Sequence, residues 1–424
     1  MRTFSRLALM AGLVLPFVTG NGSAQTASGT YTTLYSFDTR TGAAEPLTNV
    51  TVGSNGELYG ITNFSYGTAF ELTPPKAPGG AWAFKVIYGF GPGYPLGNGS
   101  NPEAGMVLDS SGTLYGTVSS VDAPNGYGAV FQLTPPTSGK LWTYAELAGF
   151  LKGRYKDNGA TPWGGVVFGS NGALYGTATV GGVSGRGVVF ELSAPAAGST
   201  GWTETVLYSF TGQNGDGANP YTGVVAAQDG TIFGTTTNGG TANHGTAFQL
   251  TPPGMPDAPW TQAILHSFTG RDGDGALPSG LSMGKNGMLY GTSFGGGDYG
   301  YGTVFELIPP QPGGAWKARA LYSFTGQNGD GSGPYSGVTI GPSGALFGTT
   351  SGGGAANVGT IFELTPPSVA GGAWSESILH SFTGLNGDGA YPEAGLVFGS
   401  AGVLYGTTYG GGDLGAGTVF RFTL

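Results

Sequence analysis

Five side chains that could take part in chemistry follow a proline at the same point of a repeated pattern. They are two carboxylates and three aromatic rings: Glu103, Glu393, Trp163, Tyr221 and Tyr335. Aromatic faces beside carboxylate acceptors suit a sugar, which offers C–H faces and hydroxyl groups. Two carboxylates in one pocket could instead act as the acid and base of a glycosidase or a polysaccharide lyase. We therefore predict ligand binding by the three rings, with the two glutamates as the candidate catalytic residues if the protein is an enzyme.

The same rings could instead pack between neighbouring units of the repeat, and that structural alternative stays open. A second group of polar residues lies in an irregular loop at 151–160, which contains Lys152, Arg154, Tyr155 and Lys156. Irregular loops break the symmetry of a repeat, as a specific site requires. Arg154 and Tyr155 are therefore added to the predicted ligand-binding residues, with a solvated loop as the alternative.

Four aspartates occupy a repeated segment of the form Phe-Thr-Gly-x-Asn/Asp-Gly-Asp-Gly: Asp216, Asp274, Asp330 and Asp388. The spacing resembles part of a calcium loop. However, Gly212 and Gly223 stand where such a loop has an early ligand and its bidentate Glu. We predict structural turns in which the carboxylates accept backbone N–H groups. No cofactor is expected, and Ca²⁺ at these aspartates is the alternative.

Composition excludes several other functions. Only 9% of the residues are charged and the formal net charge is −9, whereas about 25% charged residues is ordinary. A nucleic-acid partner is not expected, because binding phosphates needs a concentrated basic surface. The sequence contains no Cys, which excludes disulfides and thiolate metal sites. His266 and His380 stand where other repeats have Tyr, which predicts a structural role for both.

The N-terminus has the pattern of a secretory signal peptide. Arg2 and Arg6 precede an apolar run at 7–18, and small residues lead to a predicted cleavage after Ala24. The run is too short to cross a bilayer, and no later segment approaches the roughly 20 apolar residues that a spanning helix needs. We expect a signal peptide at 1–24, a linker at 25–30, no membrane span, and a secreted, extracellular or periplasmic protein.

The sequence repeats itself from one end of the predicted mature chain to the other. A Leu-Tyr-Gly motif and its variants recur at intervals of 56 to 60 residues, ending at Gly60, Gly116, Gly176, Gly234, Gly291, Gly348 and Gly406. Segments like Gly-Thr-Val-Phe end at Phe70, Phe131, Phe190, Phe248, Phe305, Phe362 and Phe420. Segments like Leu-Tyr-Ser-Phe end at Phe37, Phe90, Phe150, Phe210, Phe268, Phe324 and Phe382. Periods of this length are typical of solenoids, propellers and other arrays.

Each unit has the pattern of four short strands. In one unit, strands are predicted near 222–227, 231–235, 246–251 and 260–268, because β-branched or aromatic runs there are bounded by Gly, Pro, Asn or Asp. Four antiparallel strands in each of seven units predict an all-β, seven-bladed β-propeller at 31–424. The chain starts with a lone fourth strand and ends after a third. We therefore predict that the N-terminal strand completes the C-terminal blade and closes the ring.

The recurring segments Leu-Tyr-Gly-Thr-Thr, Gly-Gly, Gly-Thr-Val-Phe-Glu-Leu-Thr and Leu-Tyr-Ser-Phe resemble the GloVer (Gloeo_Verruco) tandem repeats of secreted bacterial proteins. The resemblance covers all seven units and implies an exported repeat protein, and it supplies no catalytic residues. Anchored members of that family carry a sorting tail, whereas this chain ends on the predicted strand 418–424. We therefore expect secretion or periplasmic residence.

Three functions fit these observations. The first is a secreted, monomeric binding or scaffold propeller that recognises a glycan or an extracellular protein through one loop-rich rim. The second is an extracellular polysaccharide lyase or glycosidase that uses the rim carboxylates. The third is a purely structural extracellular repeat. We expect the first, because the sequence offers no catalytic constellation beyond the two glutamates, although a fold alone does not fix a function.

Overall fold

A computed structural model describes residues 29–77, 79–91, 99–120, 126–137, 141–151, 158–195, 201–255, 258–311, 314–369 and 371–424. The predicted signal peptide and the candidate residues Arg154 and Tyr155 lie outside these ranges. The described residues contain strands and three short 3₁₀ turns, at Thr39–Thr41, Lys285–Gly287 and Ser400–Gly402. Within the same ranges, no helix has the length and apolar character needed to cross a membrane.

The strands form seven four-stranded antiparallel sheets, which confirms the seven-bladed β-propeller. We number the blades 1 to 7 along the chain and label their strands a to d in pairing order. The a strands are Thr51–Val52, Val107–Leu108, Val167–Phe168, Val225–Ala226, Gly275–Met283, Thr339–Ile340 and Val397–Phe398. The b strands are Leu58–Thr62, Leu114–Val118, Leu174–Ala178, Ile232–Thr236, Leu289–Gly296, Leu346–Thr350 and Val403–Thr408. The c strands are Thr68–Thr73, Gly126–Thr134, Val188–Ser193, Thr246–Thr251, Thr303–Ile308, Thr360–Thr365 and Thr418–Thr423. The d strands are Ala83–Gly89, Thr143–Leu151, Thr203–Ser209, Thr261–Ser267, Lys317–Ser323, Ser375–Ser381 and, in blade 7, Thr30–Ser36.

Short antiparallel pairings between two-residue segments connect the loop before strand a to the loop after strand b. They join Gly159–Ala160 to Val180–Gly181, Gly217–Ala218 to Asn238–Gly239, Gly331–Ser332 to Gly352–Gly353, and Gly389–Ala390 to Gly410–Gly411. In blade 5 the same pairing is continuous with strands a and b. The inter-blade loops and the b–c loops therefore lie on one face of the ring, as the up-and-down order of the strands predicts. We call it the loop face.

The N-terminal strand closes the ring, as predicted. Thr30–Ser36 pairs antiparallel with Thr418–Thr423 along its whole length. The hydroxyl of Thr407 in blade 7 also donates a hydrogen bond of 2.8 Å to the carbonyl of Thr48 in blade 1. Strand c of blade 7 is thereby paired on both sides, by its own strand b and by the first strand of the chain.

Each blade packs on the next through a pair of buried Phe rings. The ring at the end of strand d lies edge-to-face on the ring in strand c of the next blade, with centroids 5.0–5.5 Å apart and interplanar angles of 60–67°. The pairs are Phe37–Phe70, Phe90–Phe131, Phe150–Phe190, Phe210–Phe248, Phe268–Phe305, Phe324–Phe362 and Phe382–Phe420. Such pairs contribute roughly 0.5–1.5 kcal/mol each beyond the burial of their area. The same contact therefore stabilises all seven interfaces, including the closing one.

The Gly of the Leu-Tyr-Gly motif makes room for this packing. A Cβ atom at Gly234 would lie 2.5 Å from Cζ of Phe248, and the six equivalent glycines show 2.4–2.7 Å to the ring of their own strand c. The Tyr of the motif makes a second contact between blades. Tyr115 of blade 2, for example, lies against Trp202 of blade 3, with ring centroids 6.2 Å apart. The motif thus combines a missing side chain with a ring that reaches the next blade.

The substitution Gly234→Ala should lower the melting temperature, because the added Cβ must displace the ring of Phe248. Overpacking of this kind costs about 1–3 kcal/mol. Gly254→Ala is a matched control in the same blade, since its Cβ position has nothing within 4 Å. Calorimetric melting of both variants tests the contact. If the two variants melt together, the ring adjusts freely and the steric explanation is wrong.

One position of strand d faces the preceding blade, and we call it the interblade slot. In blades 1 to 7 its occupants are Phe84, Tyr144, Glu204, Gln262, Ala318, Glu376 and Tyr31. The three aromatic occupants stack on a ring of the preceding blade: Phe84 on Tyr35, Tyr144 on Tyr88 and Tyr31 on His380, with centroids 4.3, 5.0 and 4.0 Å apart. The slot is thus a variable position inside an otherwise repeated interface.

Blade 6 places a carboxyl group in this slot. Burial, and then the nearby charge of Asp330, raises the pKa of Glu376 to about 8. In the described structure, Oε1 of Glu376 is buried without a hydrogen-bond partner. A carboxyl group in the unfolded chain has a pKa of about 4.3. Folding therefore favours the protonated acid at this position.

A pH dependence of stability follows from Glu376. Because its pKa is higher in the folded state, its contribution to stability is complete below the unfolded pKa and is lost as the pH rises through about 8. Glu376→Gln should therefore melt above the wild type in alkaline buffer and close to it in acid. Glu71→Gln controls for the loss of one charge. The measurement is the melting temperature of both proteins from acid pH to above pH 8. If the difference between their melting temperatures does not change with pH, the assignment to Glu376 is wrong.

Candidate functional site

A cavity of about 900 Å³ lies on the axis of the ring. Residues of all seven a strands, or of the segments that lead into them, line it, so strand a is the innermost strand of each blade. One side chain per blade, directly after the proline, lies at the rim of this axial cavity: Leu47, Glu103, Trp163, Tyr221, Ser279, Tyr335 and Glu393. The five rim residues singled out from the sequence are therefore brought together in one place.

The proline before each rim residue is held against the preceding blade. A Cβ atom at Gly187 would lie 2.5 Å from Cδ of Pro220, and this glycine has a φ of +95°. Only Gly combines such a backbone with room for the proline ring. Equivalent Gly–Pro contacts precede Trp163 and Tyr335. The Gly that opens each Gly-Thr-Val-Phe segment therefore fixes the point where Tyr221 and its counterparts enter the cavity.

The residue before this proline has a positive φ in every blade, which is strained for the residues other than Gly333. Its φ lies between +55° and +60° at Glu45, Asn101, Thr161, Asn219, Leu277, Gly333 and Tyr391. Bulky residues rarely adopt a positive φ, and a following proline favours an extended backbone. A hydrogen bond to the preceding blade holds the conformation: the Thr161 amide, for example, donates to the carbonyl of Tyr127 at 2.6 Å. This bend turns the chain from the loop face into the cavity.

Small residues let the a strands converge below the rim. A Cβ atom at Gly165 would lie 3.0 Å from the carbonyl oxygen of Gly105, and one at Gly223 would lie 3.1 Å from that of Gly165. Larger side chains at this depth would separate the strands. Convergence places rim residues of adjacent blades in contact, and the rings of Trp163 and Tyr221 meet with centroids 5.3 Å apart at 86°.

Aromatic residues form one side of the axial cavity. Trp163, Tyr221, Phe294 and Tyr335 come from blades 3 to 6, and 39, 40, 41 and 53% of their respective surfaces are exposed. Phe294 lies against Tyr335, with centroids 5.4 Å apart at 80°. We call these four residues the aromatic arc. They form two edge-to-face pairs, Trp163–Tyr221 and Phe294–Tyr335, and part of each ring stays exposed, so packing between blades accounts for only part of their area.

Phe294 is a member of the arc that the sequence analysis does not single out. It lies within strand b of blade 5, directly after the Leu-Tyr-Gly-Thr-Ser segment. Aligned on the period, this position holds Asn63, Ser119, Thr179, Thr237 and Ser351 in five blades, and Tyr409 in blade 7. Phe294 and Tyr409 could have been identified from the sequence, because they are aromatic at a position where the other blades have small polar residues.

Glu103 and Glu393 lie across from the arc, in blades 2 and 7, with Leu47 of blade 1 between them. Burial raises the pKa of Glu393. Burial also raises the pKa of Glu103, although a hydrogen bond of 3.2 Å from Asn63 Nδ2 acts against it. After burial, the charges of Glu393 and then Glu103 contribute to raising the pKa of Tyr335. The two acids thus share the electrostatics of one cavity, and both are shifted toward their neutral forms.

Two buried polar atoms of blade 1 lack a hydrogen-bond partner in the described structure. They are Oγ1 of Thr48, a residue that lines the cavity, and Asn63 Oδ1, in the amide that contacts Glu103. Buried polar groups are normally hydrogen-bonded to protein or to ordered water. Both atoms are covered by protein, so they are unpaired groups behind the acidic side of the cavity and not contact points on its surface.

The four repeated aspartates form turns on the loop face. Asp216 accepts hydrogen bonds from the amide and the hydroxyl of Thr211, at 2.7 and 2.8 Å, and from the amide of Gly217 at 2.7 Å. Asp274, Asp330 and Asp388 repeat this arrangement. Across the described ranges, no group of three or more Asp, Glu or His residues is placed to hold a metal ion. The carboxylates are engaged as the predicted turns require, and Ca²⁺ binding stays an untested alternative.

His266 and His380 lie in d strands at the positions that Tyr occupies elsewhere. Their Nε2 atoms are 3.0 and 3.1 Å from Oδ1 of Asp274 and Asp388, respectively. Burial alone would raise the pKa of Asp274, but hydrogen bonds from His266 and Thr269 outweigh it and lower that pKa. Neither His lines the axial cavity. Each His therefore joins its strand d to the aspartate in the inter-blade loop that follows, which is the structural role predicted for both.

Comparisons with known proteins agree with the repeat and the fold. Residues 63–273 and 228–424 match the model of the Gloeobacter/Verrucomicrobia repeat. No curated protein matches the sequence. One similar solved structure is the extracellular domain of a protein described as a one-component system from B. thetaiotaomicron, with a TM-score of 0.51 and 10% identity over 90% of this chain. The chain spans 39% of that protein, so the likeness concerns the fold alone.

Two further solved structures are similar at lower scores. A protein described as an oxidoreductase (glucose dehydrogenase) from Thermus thermophilus has a TM-score of 0.43 and 15% identity, covering 82% of this chain and 98% of its own. A luciferin-regenerating enzyme has a TM-score of 0.39 and 17% identity, covering 78% and 93%. Neither likeness bears on the function of this chain.

Proposed function

The chain belongs to the Gloeobacter/Verrucomicrobia repeat family, and we propose that it is an exported binding protein that takes a carbohydrate in the axial cavity. The observation that carries the proposal is the aromatic arc. Four partly exposed rings on adjacent blades face a cavity of about 900 Å³, which is within the size range of ligand sites, about 300–1,000 Å³. Export is supported by the predicted signal peptide at 1–24.

The two sides of the cavity suit the two kinds of surface on a sugar. The rings of the arc offer flat apolar faces to C–H groups. The acidic side offers the carboxyl groups of Glu103 and Glu393 to the hydroxyl groups of the sugar. Among the described residues that line the cavity there is no Lys or Arg. An uncharged, hydroxyl-rich ligand therefore fits better than an anionic one.

Binding to an array of neutral glycans tests the proposal. Trp163→Ala and Tyr335→Ala should each weaken binding at least about tenfold, or about 1.4 kcal/mol, because each removes one stacking face. Tyr299→Ala is the matched control: Tyr299 is also an exposed aromatic residue, but it does not line the cavity. Retention of no glycan by the wild-type protein would favour a purely structural repeat or a protein partner. Equal losses in all three variants would place binding outside the cavity.

A second candidate function rests on the paired acids. Glu103 and Glu393 belong to one cavity and both have pKa values raised by burial, as a general acid requires. They project from blades on either side of blade 1, and Leu47 occupies the equivalent position between them. A glycosidase or polysaccharide lyase would use one as the acid and the other as the base or nucleophile.

Product analysis separates the two functions. We expect wild-type protein to leave its bound glycan intact over long incubation, because the arrangement is explained by binding alone. Mass spectrometry of the recovered glycan provides the measurement. The enzymatic function would be correct if the wild type cleaves the glycan and both Glu103→Gln and Glu393→Gln bind it without cleaving it.

A further inference from the structure

A second cavity, of about 480 Å³, lies between blades 4 and 5, away from the axis. Ala318, the occupant of the interblade slot of blade 5, is part of its lining. In blades 1, 2 and 7 the slot is filled by an aromatic ring that stacks on the preceding blade. Blade 5 supplies only a methyl group at this point, so the interface has space where others have a ring.

The interface between blades 6 and 7 shows how a ring fits the slot. Tyr31 stacks on His380 with centroids 4.0 Å apart and planes 1° from parallel. Its ring also meets the buried Phe pair of that interface, at 5.7 Å from Phe382 and 5.4 Å from Phe420. One ring in this slot is therefore in contact with three others.

The same three partners surround the space beside Ala318. His266, Phe268 and Phe305 are the counterparts of His380, Phe382 and Phe420, and all three line the cavity. The edge-to-face pair Phe268–Phe305 is preserved, with centroids 5.0 Å apart. Strand pairing puts Ala318 at the position of Tyr31, because each lies opposite the residue two places beyond the strand-c Phe. The stacking surface is thus complete, and only the stacked ring is missing.

The polar contact of the histidine is also preserved, whereas the lining additionally holds Arg271, Asp272 and Arg319, where the interface of blades 6 and 7 has Leu385, Asn386 and Thr32. His266 contacts Asp274 through Nε2 at 3.0 Å, as His380 contacts Asp388 at 3.1 Å, so the two imidazole rings make the same polar contact. Burial raises the pKa of the Tyr31 hydroxyl group to about 12, with a smaller contribution from the charge of Asp388, and hydrogen bonds from Thr33, Gly389 and Thr418 act against this shift. Gly275 and Thr303 are the counterparts of Gly389 and Thr418, so a hydroxyl group on a ring in the slot of blade 5 would have equivalent neighbours.

We propose that the cavity between blades 4 and 5 is a binding site for a small phenol, whose ring stacks on His266 and whose hydroxyl group lies beside the backbone amide of Gly275. The volume lies within the range of small-molecule sites, about 300–1,000 Å³. A planar ring is required by the parallel stacking, and a hydroxyl group is favoured because Gly275 is the counterpart of Gly389, which contacts the hydroxyl of Tyr31. This site is separate from the axial cavity and does not depend on the carbohydrate-binding function.

Titration with p-cresol, which has the ring and hydroxyl group of a tyrosine side chain, tests the site. The wild type should bind one equivalent, with ring-current shifts of the His266 proton signals, identified by their loss in His266→Gln. The saturated analogue 4-methylcyclohexanol should bind at least about tenfold more weakly, because it cannot stack. Absence of p-cresol binding, or binding without a response of His266, would overturn the proposal.

Filling the slot supplies the decisive variant. Ala318→Tyr should weaken p-cresol binding at least about tenfold and raise the melting temperature, because the side chain takes the place of the ligand. Ala318→Phe, which copies Phe84 of blade 1, gives a second filled slot. Unchanged p-cresol affinity in the filled variants would overturn the proposal, as would failure of both to fold, since the interface would then not admit a ring.

Two controls locate the binding. Tyr335→Ala alters the aromatic arc and should leave p-cresol affinity unchanged, so a loss there would assign the binding to the axial cavity and overturn the proposal. Tyr31→Ala opens the equivalent slot at His380. This variant should bind a second equivalent of p-cresol. Its melting temperature should be lower than that of the wild type, and p-cresol should raise it. If p-cresol does not raise it, the proposed stacking geometry is wrong.

Discussion

The edge-to-face contact between two Phe rings is the constraint on which the rest of this propeller depends. It occurs at every interface, between the end of strand d in one blade and strand c in the next. The ring in strand c needs the space above strand b, so the Leu-Tyr-Gly motif must end in Gly. The regular spacing of these Phe residues along the sequence places the same packed pair at all seven interfaces.

Function in such a molecule is expected where the repeat changes while its backbone does not. The position after the proline holds Leu, Glu, Trp, Tyr, Ser, Tyr and Glu around the axis, although each is delivered by the same Gly–Pro contact and the same strained bend. The interblade slot varies in a similar way, from aromatic rings to a carboxyl group to a methyl group. Identical packing elsewhere keeps these variable side chains at defined places.

Much of this arrangement could be predicted from the sequence, because the period and the Gly and Pro positions identify seven units of four strands and place five rim residues at equivalent points. Other features depend on partners that a single repeat does not show. Each strand d carries a β-bulge at a Leu or Ile, which shifts its side chains relative to strand c and therefore sets the slot. The role of Phe294 depends on the neighbouring blade's Tyr335. The sequence does not single out Ala318, because the space beside it is recognised only by comparison with the blades that have an aromatic ring at the same position.

Ring closure by Thr30–Ser36 pairs a strand that is synthesised early with one that is synthesised late. Among the described strands, Thr30–Ser36 is synthesised earliest, and it pairs with Thr418–Thr423, which is synthesised latest. Contacts between such distant parts of a chain form slowly, since a long loop must close before they are gained. Until then, Thr418–Thr423 has an unpaired edge of the kind that promotes association between chains. A growing chain can therefore build its blades one after another, but the edge of Thr418–Thr423 is covered only once that strand has been made and has paired with Thr30–Ser36.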